Sequence, residues 1–150
     1  MKLAIKEAQL AQRQGDYAVG AVLIKGDKVI ATCSNRSKRD ENPIAHAETL
    51  AIMKASKILK SRHLKNYILY VTHEPCPMCA SLIVWARLKG VVYGANINDM
   101  RKYRETNSNR HYLWRTIDIP SRKIFAKSTE KIETIKDFMR KKCVELFHNK

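Results

Sequence analysis

The chain has 150 residues, 45% of them hydrophobic, which is the ordinary balance of a globular protein and is long enough for a real core. Its 29 Lys and Arg against 14 Asp and Glu give a formal charge of +15. Such a surface draws polyanions, most often nucleic acid, and argues against strongly basic partners. No stretch reaches the length of a membrane span, and Met1 to Gln14 is polar and amphipathic, unlike the apolar centre of a signal peptide. The chain reads as one domain over residues 1–150, with no repeat, low-complexity tract or linker.

In chain order, Lys2 to Gln14 is expected to be a helix with Leu3, Ala4, Ala8 and Ala11 on one face, stopped by Gly15. Ala18 to Lys25 and Lys28 to Cys33 read as strands joined by a Gly26-Asp27 turn. A polar loop from Ser34 to Pro43 leads to a helix over Ala45 to Leu59, with His46 and Glu48 in its first turn. Tyr67 to Thr72 is nearly all apolar or aromatic and predicts a central strand buried on both faces. Pro77 to Lys89 is the next helix. Its run Leu82-Ile83-Val84-Trp85 predicts burial nearly all round. Gly90 to Gly94 is a short strand. Ala95 to Asn109 has no clear assignment, and Leu113 to Ile119 reads as extended. Ile132 to Ile135 and Asp137 to Phe147 close the chain as strand and helix. The alternation predicts a three-layer α/β/α fold, with a mixed sheet of about five strands and helices on both faces.

Four cysteines occur, at positions 33, 76, 79 and 143. Cys33 and Cys143 read as small buried residues. Reduced cysteines suit a cytoplasmic protein. Cys76 and Cys79 form a C-x-x-C pair which alone could be a redox motif, but His46-Ala47-Glu48 upstream favours zinc. One histidine and two thiolates make a three-donor set with an open fourth position, as a catalytic zinc requires. Both donor groups fall at helix starts, where the helix field favours thiolates. Glu48 is placed to take a proton from water on the metal and pass it onward as general base, then general acid. A closed structural site would need a fourth protein donor, for which Cys33 and His73 are the candidates. His73 also reads as a solvated or substrate-lining residue. The pairing of H-x-E with P-C-x-x-C is the signature of zinc-dependent base deaminases, which attack C4 of cytosine or C6 of adenine and release ammonia.

The segments Val19 to Val22, Asn35, Pro43 to Glu48, Tyr70 to Thr72, Glu74 to Cys79 and Val91 to Gly94 resemble the cytidine and deoxycytidylate deaminase superfamily. Within it they are most similar to tRNA adenosine deaminases and the related guanine deaminases. The resemblance implies zinc on His46, Cys76 and Cys79 and proton shuttling by Glu48. It also implies substrate contacts from Asn35, Ala47, Glu74 and Pro75, with Asn35 hydrogen-bonding the target base, and a homodimer. The ending Ile132-Glu133, Cys143, Leu146 and Phe147 is similar to tRNA adenosine deaminases. The segment after Gly94 departs from their glycine-rich stretch, and Pro75 to Cys79 with Trp85-Ala86-Arg87 looks closer to guanine deaminases. Arg101, Lys102, Arg104, Arg110 and Arg115, interleaved with Tyr103, Tyr112 and Trp114, suit contact with RNA phosphates and bases. They equally suit a solvated loop whose aromatics pack on the core. The leading expectation is conversion of adenosine to inosine at the tRNA wobble position. The alternatives are a deaminase of a free base, nucleoside or nucleotide, and an RNA-binding protein without turnover.

Overall fold

The computed structural model describes residues 1–106 and 117–148. Helix α1 spans Lys2–Arg13, and the strands β1 (Gly20–Lys25) and β2 (Lys28–Ser34) follow. Next come α2 (Ala47–Leu59), β3 (Ile68–His73), α3 (Pro77–Trp85) and β4 (Gly90–Ala95). The chain continues with α4 (Ile97–Thr106), α5 (Ser121–Phe125), β5 (Glu133–Ile135) and α6 (Arg140–His148). The five strands form one mixed sheet in the order β2-β1-β3-β4-β5. β1 is antiparallel to β2 and β3, whereas β3, β4 and β5 run parallel. The opening hairpin turns at Gly26, whose φ of +55° suits glycine.

Helices cover both faces. α1 lies on β1 and β2, and α6 lies on β4 and touches α1. On the other face α2 crosses β1 and β2 and meets α3, which in turn meets α5. Small residues set the spacing. Ala4, Ala8 and Ala11 are fully buried, and a Cβ on Gly20 would stand 2.1 Å from the Ala4 carbonyl oxygen. α1 can therefore approach β1 only over a glycine. The main core gathers Leu23, Leu64, Leu69, Val71, Ile83 and Val91 between the sheet and α2 and α3. A second cluster joins Met100 and Tyr103 of α4 to Cys143 and Phe147 of α6. No helix among the described residues is long and apolar enough to cross a membrane.

Several expectations change. Leu3 is 44% exposed and does not share the buried face of α1, since Ala4, Ala8 and Ala11 alone fill that narrow contact. α3 ends at Trp85, which is 79% exposed. Its apolar run is thus buried on one side only, with Ile83 inside. Cys33 is half-buried, whereas Cys143 is fully buried as expected. The unassigned stretch after Gly94 contains α4. Ile117 to Ile119 are not in a strand, and the rest of that expected extended segment lies outside the described residues.

Candidate active site

Two helix starts meet at the ends of β3 and β4. His46 is the N-cap of α2 and Cys76 the N-cap of α3, both with extended backbone. Pro77 opens α3 at a position that lacks an intrahelical N–H partner anyway. One turn further on, Cys79 comes back beside Cys76. The donor atoms of His46, Cys76 and Cys79 all lie within 4.8 Å of one another. His46 Nδ1 stands 3.6 Å from Cys76 Sγ and 3.5 Å from Cys79 Sγ. A tetrahedral zinc with sulfur at about 2.3 Å and nitrogen at about 2.0–2.1 Å has nitrogen–sulfur edges of about 3.6 Å. The donor set therefore fits zinc in both chemistry and spacing. Neither Cys33 nor His73 belongs to this group among the described residues, so the closed four-donor arrangement is not formed. His73 is buried rather than solvated, and its Nδ1 lies 2.8 Å from Thr72 Oγ1.

The thiols are already tuned toward metal. A hydrogen bond from the Cys79 thiol, helped by His46 and resisted by burial, brings Cys76 down to about 4. The adjacent Cys76 sulfur and burial push Cys79 up. A metal would bind both sulfurs as thiolates, so its binding would release the proton that Cys79 holds more tightly. Thr49 Oγ1 supports Cys79 Sγ at 3.7 Å.

Glu48 sits in the first turn of α2 and is 4% exposed. Its Oε2 is buried with no hydrogen-bond partner among the described residues. Burial pushes its carboxyl above the usual carboxylate range. A buried carboxyl oxygen without a partner is costly to fold around and is suited to exchanging protons. It faces a cavity of about 620 Å³, whose walls include His46, Cys76, Asn35, His73, Met100 and Ile117. That volume is in the normal range for a small-molecule site.

The structure brings Asn35 to this cavity, where its Nδ2 donates to Asp16 Oδ1 at 2.7 Å and Ser37 Oγ at 2.8 Å. Glu74 also reaches the wall, but its carboxylate accepts from the Ile97 N–H at 2.9 Å and from the Ser121 N–H and O–H at 2.8 and 2.9 Å. It acts as a strut between β3, α4 and α5 rather than as a free substrate ligand. Ala47 and Pro75 are fully buried, and neither is among the cavity-lining residues. Their side chains have no room to meet a substrate. Arg101 forms an ion pair with Asp118 at 3.0 Å, while Lys102 and Arg104 point to solvent. Arg110 and Arg115 lie outside the described residues. Sequence reasoning missed Asp16, because Gly15-Asp16 reads only as a helix stop. It missed Met100 and Ile117 as well, because nothing local ties them to a motif 20 or more residues away.

Residues 1–95 match the model of the cytidine and deoxycytidylate deaminase zinc-binding region. The chain belongs to that family, and zinc is the metal that its three-donor site accepts. It is 46% identical over 95 residues to the tRNA-specific adenosine deaminase of Bacillus subtilis (strain 168), covering 63% of this chain and 59% of that protein. The match thus spans less than two thirds of that relative. It is 33% identical over 150 residues to the tRNA-specific adenosine deaminase of Buchnera aphidicola subsp. Schizaphis graminum, covering 99% of this chain and 89% of the other. Among solved structures, the guanine deaminase of Bacillus subtilis superposes with a TM-score of 0.65 at 36% identity, over 77% of this chain and 78% of that one.

Proposed function

We propose that this protein is a zinc-dependent hydrolytic deaminase that converts adenosine to inosine in tRNA, at the wobble position. The observation that carries the reading is the buried carboxyl of Glu48, with Oε2 unpartnered among the described residues, beside a three-donor metal set, on a cavity that Glu48, His46 and Cys76 line. The relatives support the substrate, since two of them, at 46% and 33% identity, bear the name tRNA-specific adenosine deaminase.

When bound, zinc supplies a Lewis acid that brings the pKa of water toward ~7. His46, Cys76 and Cys79 would hold it, at the wall of the cavity that His46 and Cys76 line. Glu48 does the proton work. It takes a proton from the attacking water, gives it to the ring nitrogen, and later delivers a proton to the departing amine. The C6–N bond is exchanged for C6–O, and ammonia leaves. Asn35 orients the target nucleoside on the opposite wall. Met100 and Ile117 supply apolar surface that limits access of bulk water.

Lys102 and Arg104, exposed on α4, supply phosphate contacts. Arg101, tied to Asp118, contributes less. The active form is a homodimer. Met53 and Trp85 are exposed at 56% and 79% along one groove between α2 and α3, apolar surface of the kind a subunit contact covers.

The test is ammonia release by the zinc-loaded protein from tRNA bearing wobble adenosine, beside free adenosine, adenine, guanine, cytosine and cytidine. Turnover on the tRNA and not on the free compounds is expected. Turnover confined to guanine would replace this reading with that of the guanine deaminase relative.

A further inference from the structure

We propose that Asp16 is a positioning residue that locks the Asn35 side-chain amide, so that only its acceptor, Oδ1, is offered to the target nucleoside. This inference rests on the adenosine reading above for the identity of the donor, but not for the lock itself.

Asp16 is 6% exposed and sits where the chain leaves α1 for β1. Its Oδ1 accepts from Asn35 Nδ2 at 2.7 Å and from the Tyr17 N–H at 2.8 Å. Its Oδ2 accepts from the Lys38 and Arg39 backbone N–H groups at 3.1 and 3.0 Å. Burial pushes this carboxyl up, yet these four donors outweigh it and hold Asp16 below the ordinary carboxylate value. It is therefore ionised at any working pH. An ionised carboxylate only accepts. Asn35 must turn its NH2 toward it, and the second amide hydrogen goes to Ser37 Oγ at 2.8 Å. An asparagine amide can usually be placed either way round. Here the chemistry of Asp16 permits one way. Both donors of Asn35 are consumed inside the protein, while Oδ1 accepts no hydrogen bond among the described residues and Asn35 lines the cavity.

The substrate must then supply a donor. Adenosine within a strand has two, the exocyclic amine and the ribose 2′-hydroxyl. The amine is the leaving group and belongs to Glu48 and the metal. The 2′-hydroxyl is left for Asn35, in place of the contact with the base that the family resemblance implies, and this contact separates a ribonucleotide from a deoxyribonucleotide.

The experiment compares native protein with Asp16→Asn, Asp16→Glu and Ser37→Ala on an anticodon-arm RNA carrying adenosine or 2′-deoxyadenosine at the target position. For the native protein, loss of the hydroxyl is expected to lower kcat/KM on the order of tenfold, mainly through KM. In Asp16→Asn the new amide can donate, Asn35 is free to reverse, and the preference is expected to vanish. Asp16→Glu and Ser37→Ala retain an acceptor-only carboxylate and are expected to keep most of it. An equal sugar preference in native and Asp16→Asn proteins overturns the proposal. A second measurement needs neither substrate nor a variant that folds. In the zinc-loaded native protein, both Asn35 amide protons are expected to exchange with water far more slowly than those of an exposed asparagine. Exchange at the exposed rate overturns the lock. Absence of turnover on either RNA, with slow exchange retained, would reject the adenosine reading alone.

Discussion

Glu48 concentrates the chemistry into one side chain. Glu48→Ala is expected to keep zinc at one per chain, because the three donors are untouched, and to lower turnover roughly 10²–10⁴-fold. Metal analysis and initial rates on one preparation check both halves. Asp16 offers a separate test through pH. Its folded-state value lies below 3.8, so the stability it contributes is complete above the unfolded value and is lost as pH falls through the folded one. Denaturant midpoints measured from pH 6 to pH 2 should show native protein above Asp16→Asn at pH 6, with the gap closing below about pH 4. A gap that persists at pH 2 would mean that the carboxylate charge is not what holds residues 37–39. The two residues also mark the limit of reading from sequence. His46, Glu48, Cys76 and Cys79 were legible because each pair is two or three positions apart and their joint chemistry is rare. Asp16, and the bracing role of Glu74, were not, because most of their partners are backbone N–H groups of segments far along the chain, and a backbone donor leaves no signature in composition.

Among elements, the sheet was the most legible part. Its strands are short apolar runs between turn residues, and Ile68–His73 proved central as its hydrophobicity required. The helices were harder. α3 is apolar all along, so sequence could not tell its buried side from the exposed side that carries Trp85. α4 is mostly polar, with Ile97, Met100 and Tyr103 as its sparse buried apolar positions, too few to stand out. What holds α4 and α5 is Glu74, whose carboxylate takes donors from the first residue of each. Glu74→Gln keeps one acceptor oxygen and replaces the other with a donor facing a donor. It is expected to cost about 1–3 kcal/mol. KM should rise with little change in kcat, since Met100 and Ile117 stand on or beside the elements it anchors. Thermal unfolding and steady-state kinetics report the two effects, and an unchanged KM would detach the strut from the cavity.

For the molecule as a whole, charge has the larger consequence. The ion pairs Arg36–Asp40, Arg87–Glu130, Arg101–Asp118 and Arg140–Asp99 each join one positive charge to one negative charge, so they leave the net +15 untouched. Most of the excess is left for a partner. RNA affinity is expected to fall steeply as salt rises, with a slope proportional to the number of phosphates neutralised. A flat dependence in a filter-binding or fluorescence titration would mean that the charge serves another purpose.

The closeness of Cys76 and Cys79 carries a liability of its own. With zinc in place both sulfurs are spoken for. Once a chelator has taken the metal, the Cys76 sulfur faces the cavity with the buried Cys79 sulfur close behind it, which is the starting geometry for oxidation to a disulfide. Bound zinc would therefore also shield the pair from oxidation. Protein stripped in air would lose the ability to take zinc back until a reductant reopens the pair, so its resting state in an oxidising medium is decided by metal supply rather than by folding.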